Sequence, residues 1–243
     1  MPAPPGITLK GQHRIGNAVL FDAVLRLPAG RWTCLLGRSG VGKSTLLRLI
    51  LGLETGGVFS GRFTATDGAG LAGRISYMAQ SDLLLPWLSV RENICIGARL
   101  RGQRPDMTVV DDLLHRVHLS EHADKKPNAL SGGMRQRAAL ARTLFEDRPV
   151  VFLDEPFSAL DAGTRSTMQA LAAEVLTGRT VFLVTHDPAE AARLGHQIIV
   201  MSAQDMQVWP APGTPAPRAL DDRQAMACQT RLLAHLHATA AAS

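Results

Sequence analysis

Between the apolar run "RWTCLLG" and the helix-spaced "STLLRLILGL" lies "GRSGVGKS", Gly37 to Ser44. No other stretch constrains the fold as strongly. The pattern G-x-x-x-x-G-K-[ST] needs glycines so that backbone N–H groups can wrap phosphate oxygens. Lys43 adds a point charge, the Ser44 hydroxyl suits Mg²⁺, and Thr45 stands beside it. A strand leading into such a loop and a helix leaving it predict an α/β fold. The phosphate cradle would comprise Gly37, Arg38, Ser39, Gly40, Val41, Gly42, Lys43, Ser44 and Thr45. A chance Gly-rich turn leaves both the flanking pattern and the Lys-Ser pair unexplained.

Three further stretches carry chemistry. "VVFLDEP" ends an apolar run with two carboxylates: Asp154 suits a Mg²⁺ shell, and Glu155, one residue on, suits orienting or deprotonating a water. Two surface carboxylates at a strand end would be the bland alternative. "THDPAE" puts His186 at the end of another apolar run, where a parallel sheet binds ligands and a histidine could sense a terminal phosphate. The other seven histidines lack that position and earn no such role by it. "LSGGMRQRAALAR", Leu130 to Arg142, sets two glycines ahead of a helical run, with Ser131 as its cap. Open amides at the positive end of a helix dipole outline a second anion site.

The 243-residue chain is long enough for one large α/β domain, or a core with a smaller lobe. A hydrophobic fraction of 46% supports a real core. The net charge of +5 is spread without a basic run, and only 5% of residues are aromatic, which argues against a nucleic-acid platform. Weak attraction to an anionic membrane surface is compatible with that charge. Cys34, Cys95 and Cys228 form neither a metal pattern nor a disulfide framework, so a reducing cytosol is expected. Neither a signal peptide nor an apolar run long enough to span a bilayer is readable.

Along the chain, Ile7 to Leu27 reads as two or three strands, and Glu54 to Gly73 as a Gly-rich hairpin or strand edge. "RISYMAQ" is another strand. Ser81 to Gly102 is broken by proline and charge, and Asp106 to Val117 and Met134 to Phe145 have helical spacing, so the middle reads as a helical lobe. "PVVFLDEP" and "RTVFLVTH", separated by a helix over Ala162 to Leu176, have the continuous apolar character of doubly covered parallel strands. "QIIVMS" reads as the last strand, "WPAPGTPAP" as a linker, and Asp221 to Ala242 as a helix. No internal repeat is evident.

In their order, "GRSGVGKS", Gln80, "LSGGMRQR", "VVFLDEP", "SALD" and "THD" resemble the nucleotide-binding subunit of ABC transporters, from Thr8 to about Met201. The resemblance implies a P-loop NTPase core with a mostly parallel sheet, an N-terminal antiparallel β subdomain and an inserted α-helical subdomain. Within a single ABC ATPase domain spanning 1–243, the core would cover about 7–80 and 146–202, the helical part 81–145, and a linker and helix 203–243. It implies ATP and Mg²⁺, and a head-to-tail dimer in which each ATP lies between one chain's phosphate loop and the other's "LSGG". Carried over by position, Ser131, Gly132 and Gly133 would meet the partner's nucleotide, and Asp161 would link the two sites. Ser44, Gln80 and Asp154 would hold Mg²⁺, while Glu155, His186 and Gln80 would serve hydrolysis.

The sequence departs from the family pattern twice. The usual adenine-stacking aromatic is missing from "KGQHRIG", which offers only His13 or Arg14, and Met134 stands where many members have glutamine. "LLPWLSVRENI" with "LSGGMRQR" is similar to importers of nitrate, taurine and alkanesulfonates, and to those of the thiamin precursor hydroxymethylpyrimidine. The apolar "LLLPW" is either lobe core or a docking surface for a permease helix. The implied partners are a second copy, an integral membrane permease and, indirectly, a periplasmic solute-binding protein, at the cytoplasmic face of the inner membrane. A soluble ABC ATPase acting on nucleic acid or ribosomes is the alternative. Such proteins usually carry coiled coils, zinc modules or a second nucleotide domain, none of which is seen here.

Overall fold

A computed structural model describes residues 3–38, 40–202 and 205–241. Ser39, one of the expected phosphate-loop residues, and Ala242, the expected helix end, lie outside the described residues. The chain forms two compact units. One comprises Met1–Ile75, Pro149–Asp154 and Gly178–Ser243, the other Ser76–Arg148 and Glu155–Thr177.

In chain order the elements are β1 (Ile7–Ile15), β2 (Ala18–Leu27), β3 (Trp32–Gly37), α1 (Lys43–Ile50), β4 (Val58–Ala65), β5 (Ile75–Met78), α2 (Val90–Ile94) and α3 (Ile96–Leu100). There follow α4 (Met107–Arg116), α5 (Gly132–Phe145), β6 (Val150–Asp154), α6 (Ala162–Val175), β7 (Thr180–Thr185), α7 (Pro188–Leu194), β8 (Gln197–Met201), β9 (Met206–Trp209) and α8 (Arg223–Ala241).

In the first unit, β3 pairs in parallel with β7 on one side and β8 on the other, and β6 continues the parallel ladder beyond β7. Every residue of β3, β6 and β7 is buried, as their near-continuous apolar runs require of strands covered on both faces. Phe152 and Phe182 meet edge-on with ring centroids 5.5 Å apart, which fixes the register of β6 against β7 at the middle of that core. β1 pairs antiparallel with β2 and with β4 in a separate three-stranded sheet. The expected antiparallel and mostly parallel sheets are therefore both present.

Two expectations at the carboxyl end change. "QIIVMS" is not the last strand: β9 folds back antiparallel on β8, pairing Met201 with Met206 and Ile198 with Trp209. At four residues, β9 is too short to show a period, and its Trp209 opens the proline-rich run that suggests a linker. Nor is the Pro-rich segment a free linker. Arg218, 4% exposed, donates to the carbonyls of Ala192, Gly195, Pro212 and Thr214. Asp222 then caps α8 by accepting from the Ala225 N–H, and α8 packs on α7.

The second unit is helical. α5 packs against α2 and α4 around Val90, Ile94, Val110, Leu114, Ala138 and Leu140, all essentially buried. α2 starts with a reciprocal capping box: the Ser89 hydroxyl accepts from the Glu92 N–H, and the Glu92 carboxylate accepts from the Ser89 N–H. The bond from the Ser89 N–H, then the Ser89 hydroxyl, hold the Glu92 carboxyl below its ordinary pKa.

Candidate functional site

The phosphate loop belongs to the first unit. β3 delivers the chain to Gly37, and α1 begins at Lys43 with Gly42 as its cap, at φ 105°. A side chain is strained at that φ, and glycine also offers no oxygen to the first amides of α1. No side chain caps the start of α1, the positive end of the helix. Lys43 is 5% exposed, and its ammonium donates to the carbonyls of Gly37 (2.8 Å) and Arg38 (2.9 Å). Those bonds tie the ammonium across the loop it belongs to. Ser44 donates to Asp154 Oδ1 at 3.3 Å, so the hydroxyl and the carboxylate expected to share a cation already lie in contact.

His186 is exposed, directly after β7. The loop carrying it is shaped by its neighbours. The Asp187 N–H donates to the Thr185 hydroxyl, which donates to Glu190, and Asp187 caps α7 through the Ala189 N–H.

The base region brings a correction. His13 was one of two candidates to stack on adenine, yet it is fully buried and stacked on Phe21 at 5.8 Å. β1 alternates its side chains, and position 13 points to the covered face. Arg14, the other candidate, lines a cavity of about 550 Å³ with Gly16, Asn17, Gly56, Gly57 and Val58.

The second unit holds the remaining expected residues. Gln80 donates to Glu155 Oε2 at 3.2 Å, so the structure brings these two together. Glu155 sits at φ 48°, a left-handed backbone rare for a non-glycine residue, which breaks the line of β6 abruptly. Ser131 caps α5 by accepting from the Met134 N–H at 3.2 Å, and Ser131 and Gly132 are exposed. Gly133 approaches the "SALD" turn so closely that a Cβ would fall 3.3 Å from the Ala159 carbonyl oxygen. Asp161 is exposed and caps α6 through the Thr164 N–H; its hydrogen bonds to Thr164 hold the carboxyl below its usual range.

The "LLLPW" stretch divides between the two readings given for it. Leu84 is buried, while Leu83 and Trp87 are 61% and 65% exposed. Asn93, fully buried, holds the turn by accepting from the Leu85 N–H and donating to the carbonyls of Leu85, Leu88 and Ser89.

Sequence reasoning passed over three polar residues of α5. Arg135 bridges Asp82 at 3.0 Å, and Arg142 donates to the carbonyls of Asp82 (2.7 Å) and Leu83 (2.8 Å). They tie the segment after Gln80 to the helix that begins with "SGG". Gln136, 6% exposed, reaches the backbone of Glu155 and Ala159. The available signal was a glutamine four residues before Leu140, on the buried face of an amphipathic helix.

Comparison with known proteins points to one family. The ABC transporter family model matches residues 20–158. An ABC transporter ATP-binding protein of Haemophilus influenzae is 41% identical over 228 residues, covering 91% of this chain and 93% of its own. The aliphatic sulfonates import ATP-binding protein SsuB 2 of Agrobacterium fabrum is 47% identical over 191 residues, 76% of this chain and 71% of its own. The dimeric ATP-binding cassette MJ0796, solved in a post-hydrolysis state bound to ADP and Pi, superposes with a TM-score of 0.73 at 28% identity. The match covers 86% of this chain and all of that one (100%). The chain belongs to the ABC transporter family, as an ATPase.

Proposed function

We propose that this chain is the ATP-hydrolysing subunit of an importer for aliphatic sulfonates, acting as a head-to-tail dimer on the cytoplasmic side of a membrane permease. The permease would take its solute from a periplasmic binding protein. Several relatives, among them those of Agrobacterium fabrum, Rhizobium johnstonii and Pseudomonas savastanoi, are named as aliphatic sulfonates import ATP-binding proteins. Among the described residues no helix is long and apolar enough to cross a membrane.

The single observation that carries the catalytic reading is the Gln80–Glu155 hydrogen bond. The amides at the start of α1 would receive the β- and γ-phosphates, and Lys43 would neutralise charge between them. Ser44 and Asp154 present hard oxygens already in contact, a set that fits Mg²⁺ held jointly with phosphate oxygens. When bound there, Mg²⁺ would offset charge on the phosphate oxygens. Glu155 would orient the attacking water and take its proton, with Gln80 steering the carboxylate through their hydrogen bond. His186 would hydrogen-bond the γ-phosphate from the end of β7. Ser131, Gly132 and Gly133 would close on the nucleotide of the other chain, and Asp161 would connect the two sites.

The test is ATP-driven uptake of labelled ethanesulfonate into vesicles carrying the permease, with its binding protein present. Wild-type chain should drive uptake. Glu155→Gln should lose turnover by about 100-fold or more while still binding ATP, and should accumulate as an ATP-dependent dimer. Turnover of Glu155→Gln within a few fold of wild type would take Glu155 out of its role. Turnover that ignores the sulfonate-loaded binding protein would remove the substrate assignment.

A further inference from the structure

The left-handed turn at Glu155 is held by an unusual set of partners. A non-glycine residue keeps a positive φ only where its surroundings over-determine it, and here the next residue is Pro156, which narrows the choice further. The Glu155 carbonyl oxygen accepts three hydrogen bonds: from Gln136 Nε2 at 3.0 Å, the Ser158 hydroxyl at 3.1 Å and the Ser158 N–H at 3.4 Å. Gln136 Nε2 also lies 3.3 Å from the Ser158 hydroxyl oxygen, and Gln136 Oε1 accepts from the Ala159 N–H at 2.8 Å. One buried amide thus grips both ends of the turn between Glu155 and Ala159.

We propose that Gln136 is a positioning residue for ATP hydrolysis: its side-chain amide holds the left-handed turn that aims the Glu155 carboxylate. The inference rests on the role given to Glu155 above and extends it. Gln136 lies five residues beyond Ser131, on the first turns of α5. The helix whose start would touch the partner's nucleotide therefore also sets the water-activating carboxylate of its own chain. A shift of that helix on dimer closure would reach Glu155 through Gln136 without any intervening side chain.

Gln136→Met keeps the length and bulk of the side chain and removes both hydrogen-bonding functions. The expected result is a fall in kcat of about 30-fold or more, the scale on which small misplacement of a reacting group acts. KM for ATP, ATP affinity and ATP-dependent dimerisation should stay within about 2-fold of wild type, since the group acts on Glu155 and on no binding contact. A residue needed only for packing of α5 would instead weaken binding and dimerisation together with turnover, and that outcome overturns the inference. So does a kcat within about 2-fold of wild type. If Gln136→Met does not fold, Ser158→Ala removes one donor from the same carbonyl at an exposed position. It should lower kcat by about 3-fold with KM unchanged, and an unchanged kcat overturns the proposal. Glu155→Gln is assayed alongside. If it retains turnover, the reading of Glu155 fails and takes this inference with it. If it is silent while Gln136→Met is fully active, this inference alone fails.

Discussion

The Trp32 N–H, at the start of β3, donates to Nδ1 of His196 at 3.2 Å, and the His196 N–H returns a bond to the Trp32 carbonyl. Nδ1 can accept only while it is unprotonated. Burial, then the nearby Arg31 and Arg218 charges, push the His196 pKa below its ordinary value. The folded chain therefore binds this proton less readily than the unfolded chain. Its contribution is complete above about pH 6.5, the unfolded value, and is lost as pH falls through the depressed folded value. His196→Asn keeps an oxygen for the Trp32 N–H but does not titrate. Denaturant unfolding at several pH values should show wild-type stability declining below pH 6.5 more steeply than that of His196→Asn, by about 1 kcal/mol at the acid end. Parallel pH curves for the two proteins would rule out this histidine as the cause. The same strand runs on into the phosphate loop, so the bond secures the first residue of the element that delivers Gly37.

Elements differed in how far their sequence revealed them. β6 and β7 were plain because every residue in them is buried, and their interiors, Val150–Leu153 and Val181–Val184, are wholly apolar. Ser131 was plain as a cap because capping chemistry is local. His13 was misplaced because stacking on a base and burial against Phe21 ask for the same ring, and only the strand's alternation against its neighbours decides. Gln136 was invisible because its partners, Glu155 and Ala159, lie 19 and 23 residues away. β9 and the carboxyl segment were hidden in the same manner. Prolines suggested a linker, whereas a single buried guanidinium holds the segment to the end of α7. Replacing Arg218 by Met should leave buried carbonyls of Ala192 and Gly195 without their donor, at a cost of about 3 kcal/mol in unfolding free energy. Limited proteolysis should then cut first within 210–222, ahead of α8. Unchanged stability and an equally resistant tail would show that α8 holds itself in place by its apolar contacts with α7.

For the whole molecule, the decisive feature is that the chain carries two glycine-led helix starts, α1 at Lys43 and α5 after Ser131. Under the proposed head-to-tail pairing they serve different nucleotides, so each chain supplies half of two sites. Complementation measures this directly. Lys43→Ala removes the buried ammonium from one phosphate loop, and Ser131→Arg blocks the start of α5. Each variant alone should be inactive, because every site in either homodimer contains the damaged half. Mixed in equal amounts, half the dimers are mixed, and each of those has one site built from two intact halves. The mixture should therefore recover about one quarter of wild-type turnover if each site fires independently, with less if firing at one site requires the other. Dilution supplies the second reading: turnover per chain should fall as the concentration drops below the dimer dissociation constant. A site complete within one chain would show neither effect, since mixing two inactive chains then gives nothing and dilution changes nothing. That pair of results would confine the "LSGG" helix to its own chain. Recovery on mixing, with loss on dilution, would establish that the second anion site of this sequence is built for the nucleotide of another copy.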